Sequence, residues 1–181
     1  MGMYCIGLLL SYMFLNVFTD LKYRKTKNAW HALFLMLGVV ITYFGHVRTL
    51  KEIGIVLVMA MVCGLILEMF KFSSPGDTKM LIVAALYISN VVEESAMLTA
   101  IILTAFHLSF FWIASVYRLI KILGFAGAIK DQFQHAASIF GVKLPKQEIQ
   151  LIKSFPGACS ILLGAVVYIA FTLFHNGGTI A

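Results

Sequence analysis

Six apolar runs, each near the ~20 residues needed to cross a hydrocarbon core, decide most of what this chain can fold into. They cover roughly residues 2–19, 29–45, 53–70, 79–92, 96–117 and 157–175. Hydrophobic residues make up 61% of the chain and charged residues 12%. A soluble domain would be about half apolar and a quarter charged. In lipid the backbone has to satisfy its own hydrogen bonds, so runs of this length become helices. The expectation is an all-α integral membrane protein forming a single domain over 1–181. It has six transmembrane helices, with an amphipathic interfacial helix between the fifth and sixth. The fourth run is short and needs to tilt little or be helped by its neighbours. The first lacks a basic start and a small-residue cleavage site, so it reads as a retained helix.

Charge sets the expected orientation. The connections 20–28, 71–79 and 118–154 hold twelve of the fourteen Lys and Arg residues, leaving only Arg48 and Lys51 on the other side. By the positive-inside rule those three connections face the cytoplasm and both termini lie outside. The net charge of +6 is spread in short clusters between apolar runs, which argues for topology signals and against nucleic acid. In the long connection Ile129, Phe133, Ala136 and Phe140 recur at helical spacing, with Lys130, Asp131 and Gln134 on other faces. That pattern suits a helix lying in the interface.

The same topology puts two acids at one membrane face. Asp20 ends the first run and Asp77 immediately precedes the fourth, within KFSSPGDTKM. A charge at the bilayer centre costs about 2.5–3.5 kcal/mol on insertion scales, and both acids avoid most of it by sitting at helix ends. Two carboxylates held close share a proton. One can then act as base on a water while the protonated partner polarises a carbonyl. Asn16, Asp20, Arg24 and Asn28 step by four, so a continued helix would align them. Pro75 fixes the local turn, Gly76 permits a backbone conformation or approach closed to other residues, and Lys79 adds a nearby positive charge. Glu68 sits near the same end of the third run, where it reaches the interface, pairs with Lys71 or tunes the pair's protonation.

These residues resemble the motifs of the type IV prepilin peptidases. Asp20-x-x-x-Arg24-x-x-x-Asn28 is similar to the family's first motif. SPGDTKM resembles its second, a GxGD followed by a small or apolar residue, Lys and an apolar residue. Lys153-Ser-Phe-Pro156-Gly-Ala resembles the proline-containing start of its final helix. Ser74 stands where the family has its first glycine, and Thr26-Lys27 where it has an apolar-Pro pair. The resemblance covers essentially the whole chain. It implies a membrane aspartic endopeptidase that removes the short basic leader of prepilin-like substrates at the cytoplasmic face of the cell membrane. Asp20 and Asp77 would be catalytic, supported by Gly76, Lys79, Arg24 and Asn28, with no metal and no cofactor. Only nine residues separate the first two runs and no cysteine tetrad is present, so the methyltransferase activity of larger members is not expected. The compact form is similar to the peptidases of tight-adherence pilus systems and to archaeal preflagellin peptidases.

Other chemistry fits less well. Cys5, Cys63 and Cys159 lie in apolar runs without metal-ligand spacing, and the five histidines are scattered. His107 reads as a helix-packing hydrogen-bonder. Ser160 and His175 lie fifteen residues apart on one expected helix, ~22 Å at ~1.5 Å per residue, too far to form a dyad. A small transporter or channel would carry charges near the midplane, whereas here they sit at the ends. A non-catalytic membrane subunit of a pilus or secretion apparatus is the remaining alternative.

Overall fold

The computed structural model describes residues 2–23, 27–70, 72–139 and 156–175. These residues form helices and turns only: α1 (Gly2–Tyr23), α2 (Asn28–Phe44), α3 (Leu50–Met69), α4 (Pro75–Ser89), α5 (Ala96–Ile139) and α6 (Gly157–His175). Each expected apolar run coincides with one of them, the runs 29–45, 53–70 and 79–92 extending one to three residues past the helix end. Four are long and apolar enough to cross a membrane: Gly2–Tyr23, Leu50–Met69, Ala96–Gln134 and Gly157–His175. Bulky apolar side chains cover the outside, with Phe174 88%, Tyr4 79% and Phe44 72% exposed. Such a surface suits lipid rather than water. The chain is an all-α protein of the multi-pass membrane type.

The chain falls into two compact units. One comprises Met1–Leu108 with Pro156–Ala181, the other Ser109–Phe155. In the first, α4 is the central element, packed against α1, α2, α3 and α6. Its 15 residues span only ~22 Å, short of a ~30 Å hydrocarbon core. The lack of length is matched by the lack of exposure. Met80, Leu81 and every residue from Val83 to Ser89 are buried, as a helix apolar on all faces requires. On α3 a single stripe, Ile53, Val56, Ala60, Gly64 and Leu67, is buried.

Arg48 terminates α4 at the far end. Its guanidinium donates to the carbonyls of Ser89 (3.0 Å), Val92 (2.8 Å) and Glu94 (2.9 Å) and pairs with Glu52 at 3.5 Å. The last carbonyl of α4, that of Ser89, which has no intrahelical partner, and two carbonyls of the turn after it are thereby satisfied. One of the two basic residues outside the three positive connections is thus consumed by packing.

The second unit contains the rest of α5, interrupted at Gly124 (φ 73°, ψ 172°). A glycine is required there, because L side chains are strained at that φ. Trp112, Val116 and Ile120 before the break and Phe125, Ala128, Ile129 and Phe133 after it line an apolar groove of ≈ 410 Å³. Ile129 and Phe133 therefore share a face as the helical spacing predicts, while Phe140 lies outside the described residues. Asp131, expected on a polar outer face, is buried and partnered there, as a carboxylate away from water must be.

Candidate functional site

The sequence Ser74-Pro75-Gly76-Asp77 starts α4. Pro75 occupies the first helical position, where its missing N–H costs nothing and its fixed φ suits the helix. Ser74 is the N-cap and Asp77 the third helical residue, and together they close a capping box. The Ser74 backbone N–H and hydroxyl both donate to Asp77 Oδ2, at 2.9 and 2.7 Å. The Asp77 N–H returns a bond to Ser74 Oγ at 3.4 Å. Ser74, a departure from the glycine of the resembled motif, thus fixes the rotamer of the key acid. A Ser-x-x-acid pattern before an apolar run is the legible signature of such a cap.

Asp77 is 8% exposed, ahead of the apolar stretch that starts at Met80. Burial holds its carboxyl above the ordinary carboxylate range. The Ser74 hydrogen bonds oppose that shift, and the negative charges of Asp20 and Glu68 reinforce it. Two helices press on this turn at positions where neither has a side chain. A Cβ on Gly157, the first residue of α6, would overlap Cγ and both carboxyl oxygens of Asp77. A Cβ on Gly64 of α3 would overlap the side chain of Thr78. The start of α4 is seated between two glycines, which allow the backbones to approach. Thr78 Oγ1 also donates to Glu68 Oε1, one helical turn beyond Gly64 on α3.

Asp20 is half-buried in the last turn of α1, and α1 packs directly on α4 and α6. One turn earlier Asn16 is fully buried. Its amide donates to the Tyr12 carbonyl at 2.9 Å, and its Oδ1 has no partner among the described residues. Tyr12 in turn shares a hydrogen bond with His31 of α2. A polar file thus runs from Asp20 into the bundle.

The supporting residues divide three ways. Lys79 and Asn28 meet, Lys79 Nζ donating to Asn28 Oδ1 at 2.9 Å across the starts of α4 and α2. The continued helix that would align Asn28 with Asp20 does not occur. α1 ends at Tyr23 and Asn28 opens α2, with the extended backbone of Lys27 before it, so Asn28 reaches the site from the next helix. Arg24 lies outside the described residues, as does Lys71. Gly76 sits in the first turn of α4. Among the described glycines only Gly124 has a positive φ, so Gly76 does not use a left-handed conformation. The glycines of neighbouring helices that approach the first turn of α4 are Gly64 and Gly157. Neither follows from the reading of acid positions, although Gly157 lies within the Phe-Pro-Gly-Ala stretch noted in the sequence.

Other polar pairs are structural. His107 Nδ1 and Ser160 Oγ hydrogen-bond at 2.9 Å between α5 and α6. Ser160 donates its own proton to the Gly157 carbonyl at 2.8 Å, so His107 acts as the donor and does not activate the serine. Gly164 lets the two helices close, its α-carbon facing Phe106 and the His107 backbone. Among the described residues no three His, Cys, Asp or Glu side chains gather in a way that could hold a metal ion. Comparison with family models, with curated proteins and with solved structures yields no match to this chain.

Proposed function

We propose that this chain is a membrane aspartic endopeptidase, with Asp20 and Asp77 as the catalytic pair and prepilin-like leader peptides as substrate. One observation carries the reading. The last turn of α1 and the first turn of the wrapped helix α4 bring two acids to one end of the bundle, where the charge of Asp20 acts on the buried Asp77 carboxyl. The twelve basic residues in the three connections support a cytoplasmic position for that end and six spans in all.

The environments of the two acids assign their roles. Asp77, buried and flanked by like charge, holds the shared proton. Asp20, more exposed, is the base. Asp20 takes a proton from a water while the water oxygen adds to the scissile carbonyl, and Asp77 gives its proton to the carbonyl oxygen. The tetrahedral intermediate collapses as the amide nitrogen is protonated and the C–N bond breaks. The proton then returns to the pair, which titrates as a unit.

The capping box favours a second reading, in which Asp77 only terminates a helix in a non-catalytic membrane subunit. Asparagine separates the two. Asp77→Asn keeps an oxygen to accept the Ser74 bonds but cannot supply the proton. Co-expression with a prepilin, with leader removal followed by gel mobility, should show no cleavage for Asp20→Asn or Asp77→Asn while both insert in the membrane. Wild-type processing by either variant would leave the capping role alone.

A further inference from the structure

We propose that Glu68 is a positioning residue of this site: a third carboxylate, tied to α4 through Thr78, whose charge keeps the shared proton on Asp77. The inference rests on the reading of Asp20 and Asp77 as a catalytic pair and adds the group that sets their protonation. Glu68 is half-buried at the end of α3, and its Oε1 accepts from the hydroxyl of the residue that follows Asp77. Thr78 is itself seated against Gly64, one turn before Glu68, so the carboxylate is held at a fixed place beside the acid. A salt-bridging surface glutamate would not be fixed in this way.

Among the described residues, the charged groups around Asp77 are few. From α1 comes Asp20, and from α3 Glu68, both raising the cost of a negative Asp77. On α4 itself Lys79 points to Asn28 of α2. From α6 the facing residue is Gly157, which has no side chain. Two negative neighbours, from two different helices, therefore stand against one acid whose hydrogen-bonding compensation among the described residues comes from Ser74. Burial already favours the proton on Asp77 over the more exposed Asp20. A second negative charge, attached through Thr78 to the helix of Asp77, adds to that bias and leaves Asp20 free to act as base.

Dicyclohexylcarbodiimide, an apolar reagent that modifies protonated carboxyls, tests the coupling without relying on activity. The full chain in lipid nanodiscs is labelled across a pH series, and the adduct on Asp77 is quantified by peptide mass spectrometry. Glu68→Gln should lower the labelling midpoint of Asp77 by about half a pH unit or more, the size of one nearby like charge in a partly wet site. Glu68→Asp, which keeps the charge, should stay close to wild type, and the alkaline limb of prepilin cleavage should follow the same order. Equal midpoints in wild type and Glu68→Gln overturn the inference, as does a Glu68→Asp shift as large as that of Glu68→Gln. If the wild-type chain leaves prepilin uncut while Glu68→Gln still moves the midpoint, the peptidase reading fails and the coupling stands.

Discussion

Gly157→Ala is the sharpest single test of how the site is built. A methyl group at this position overlaps all three carboxyl atoms of Asp77, whereas an ordinary contact to a Cβ lies at 3.4–4 Å. Either the carboxyl or the start of α6 has to give by about 1 Å, on the scale that costs about 10²-fold in rate when a catalytic group is misplaced. The cost to folding is smaller. Crowding of a packed site costs about 1–3 kcal/mol, and alanine recovers up to ~1 kcal/mol of helix propensity. The net is roughly 0–2 kcal/mol, against a loss of ~2.7 kcal/mol in transition-state stabilisation. Cleavage should therefore fall about 100-fold while the protein stays folded. The assay pairs prepilin-cleavage kinetics in detergent with thermal unfolding, read by a thiol-reactive dye on the free cysteines Cys5, Cys63 and Cys159. Gly7→Ala and Gly54→Ala are controls, since a Cβ at either place meets nothing within 4 Å. Full-rate cleavage by Gly157→Ala would refute the claim that α6 seats Asp77.

Three further outcomes follow from the same geometry. Asp77 has a folded-state pKa above its unfolded value, so its penalty on folding is absent at low pH and grows as pH rises through that window. Asp77→Asn should therefore gain stability relative to wild type towards neutral pH, measured by unfolding across pH, even as it loses cleavage. Arg48→Met strips three hydrogen bonds from the carbonyl of Ser89 at the end of α4 and those of Val92 and Glu94 after it and should cost about 2–4 kcal/mol in detergent unfolding, with the pH profile of cleavage unchanged. Ser160→Ala should lower stability by about 1 kcal/mol and leave cleavage intact, since Ser160 serves the α5–α6 contact.

Hydropathy made the helices legible because their positions are set by composition alone: all six runs fall where helices form. What each helix touches is another matter. The shortness of the fourth run marks α4 as the helix in need of neighbours, but nothing in the apolar pattern says which helices wrap it. Asp20 and Asp77 stood out in the sequence, with the expectation that they lie at the interface, because an ionised group in hydrocarbon is costly. The glycines that seat Asp77 and Thr78 did not. A glycine's role here is defined by the side chain that fills its missing Cβ, and that side chain comes from another helix. Asn28 shows the opposite limit. Its spacing of eight from Asp20 invites a single stripe, but α1 ends at Tyr23 and Asn28 opens a separate helix, so the residue meets Lys79 in a way the periodicity cannot encode.

The capping box and the catalytic reading are compatible, and together they account for the asymmetry of the pair. An acid that must hold a proton needs one fixed rotamer and little water, and Asp77 has both. Ser74 holds Oδ2 from the side, and Gly157 lies against the carboxyl group. An acid that must accept a proton from water needs the reverse, and Asp20 is the more exposed of the two. A buried capping acid whose only task was to end α4 would be better served without like charge nearby, because each negative neighbour raises the cost of ionising it. Here two are directed at it, Asp20 from α1 and Glu68 from α3. Replacing both by their amides should make Asp77 a better cap and a worse acid. Unfolding at neutral pH should show Asp20→Asn/Glu68→Gln more stable than wild type, with cleavage abolished. A double variant less stable than wild type at that pH would mean that the acids at this end of the bundle are held for packing alone.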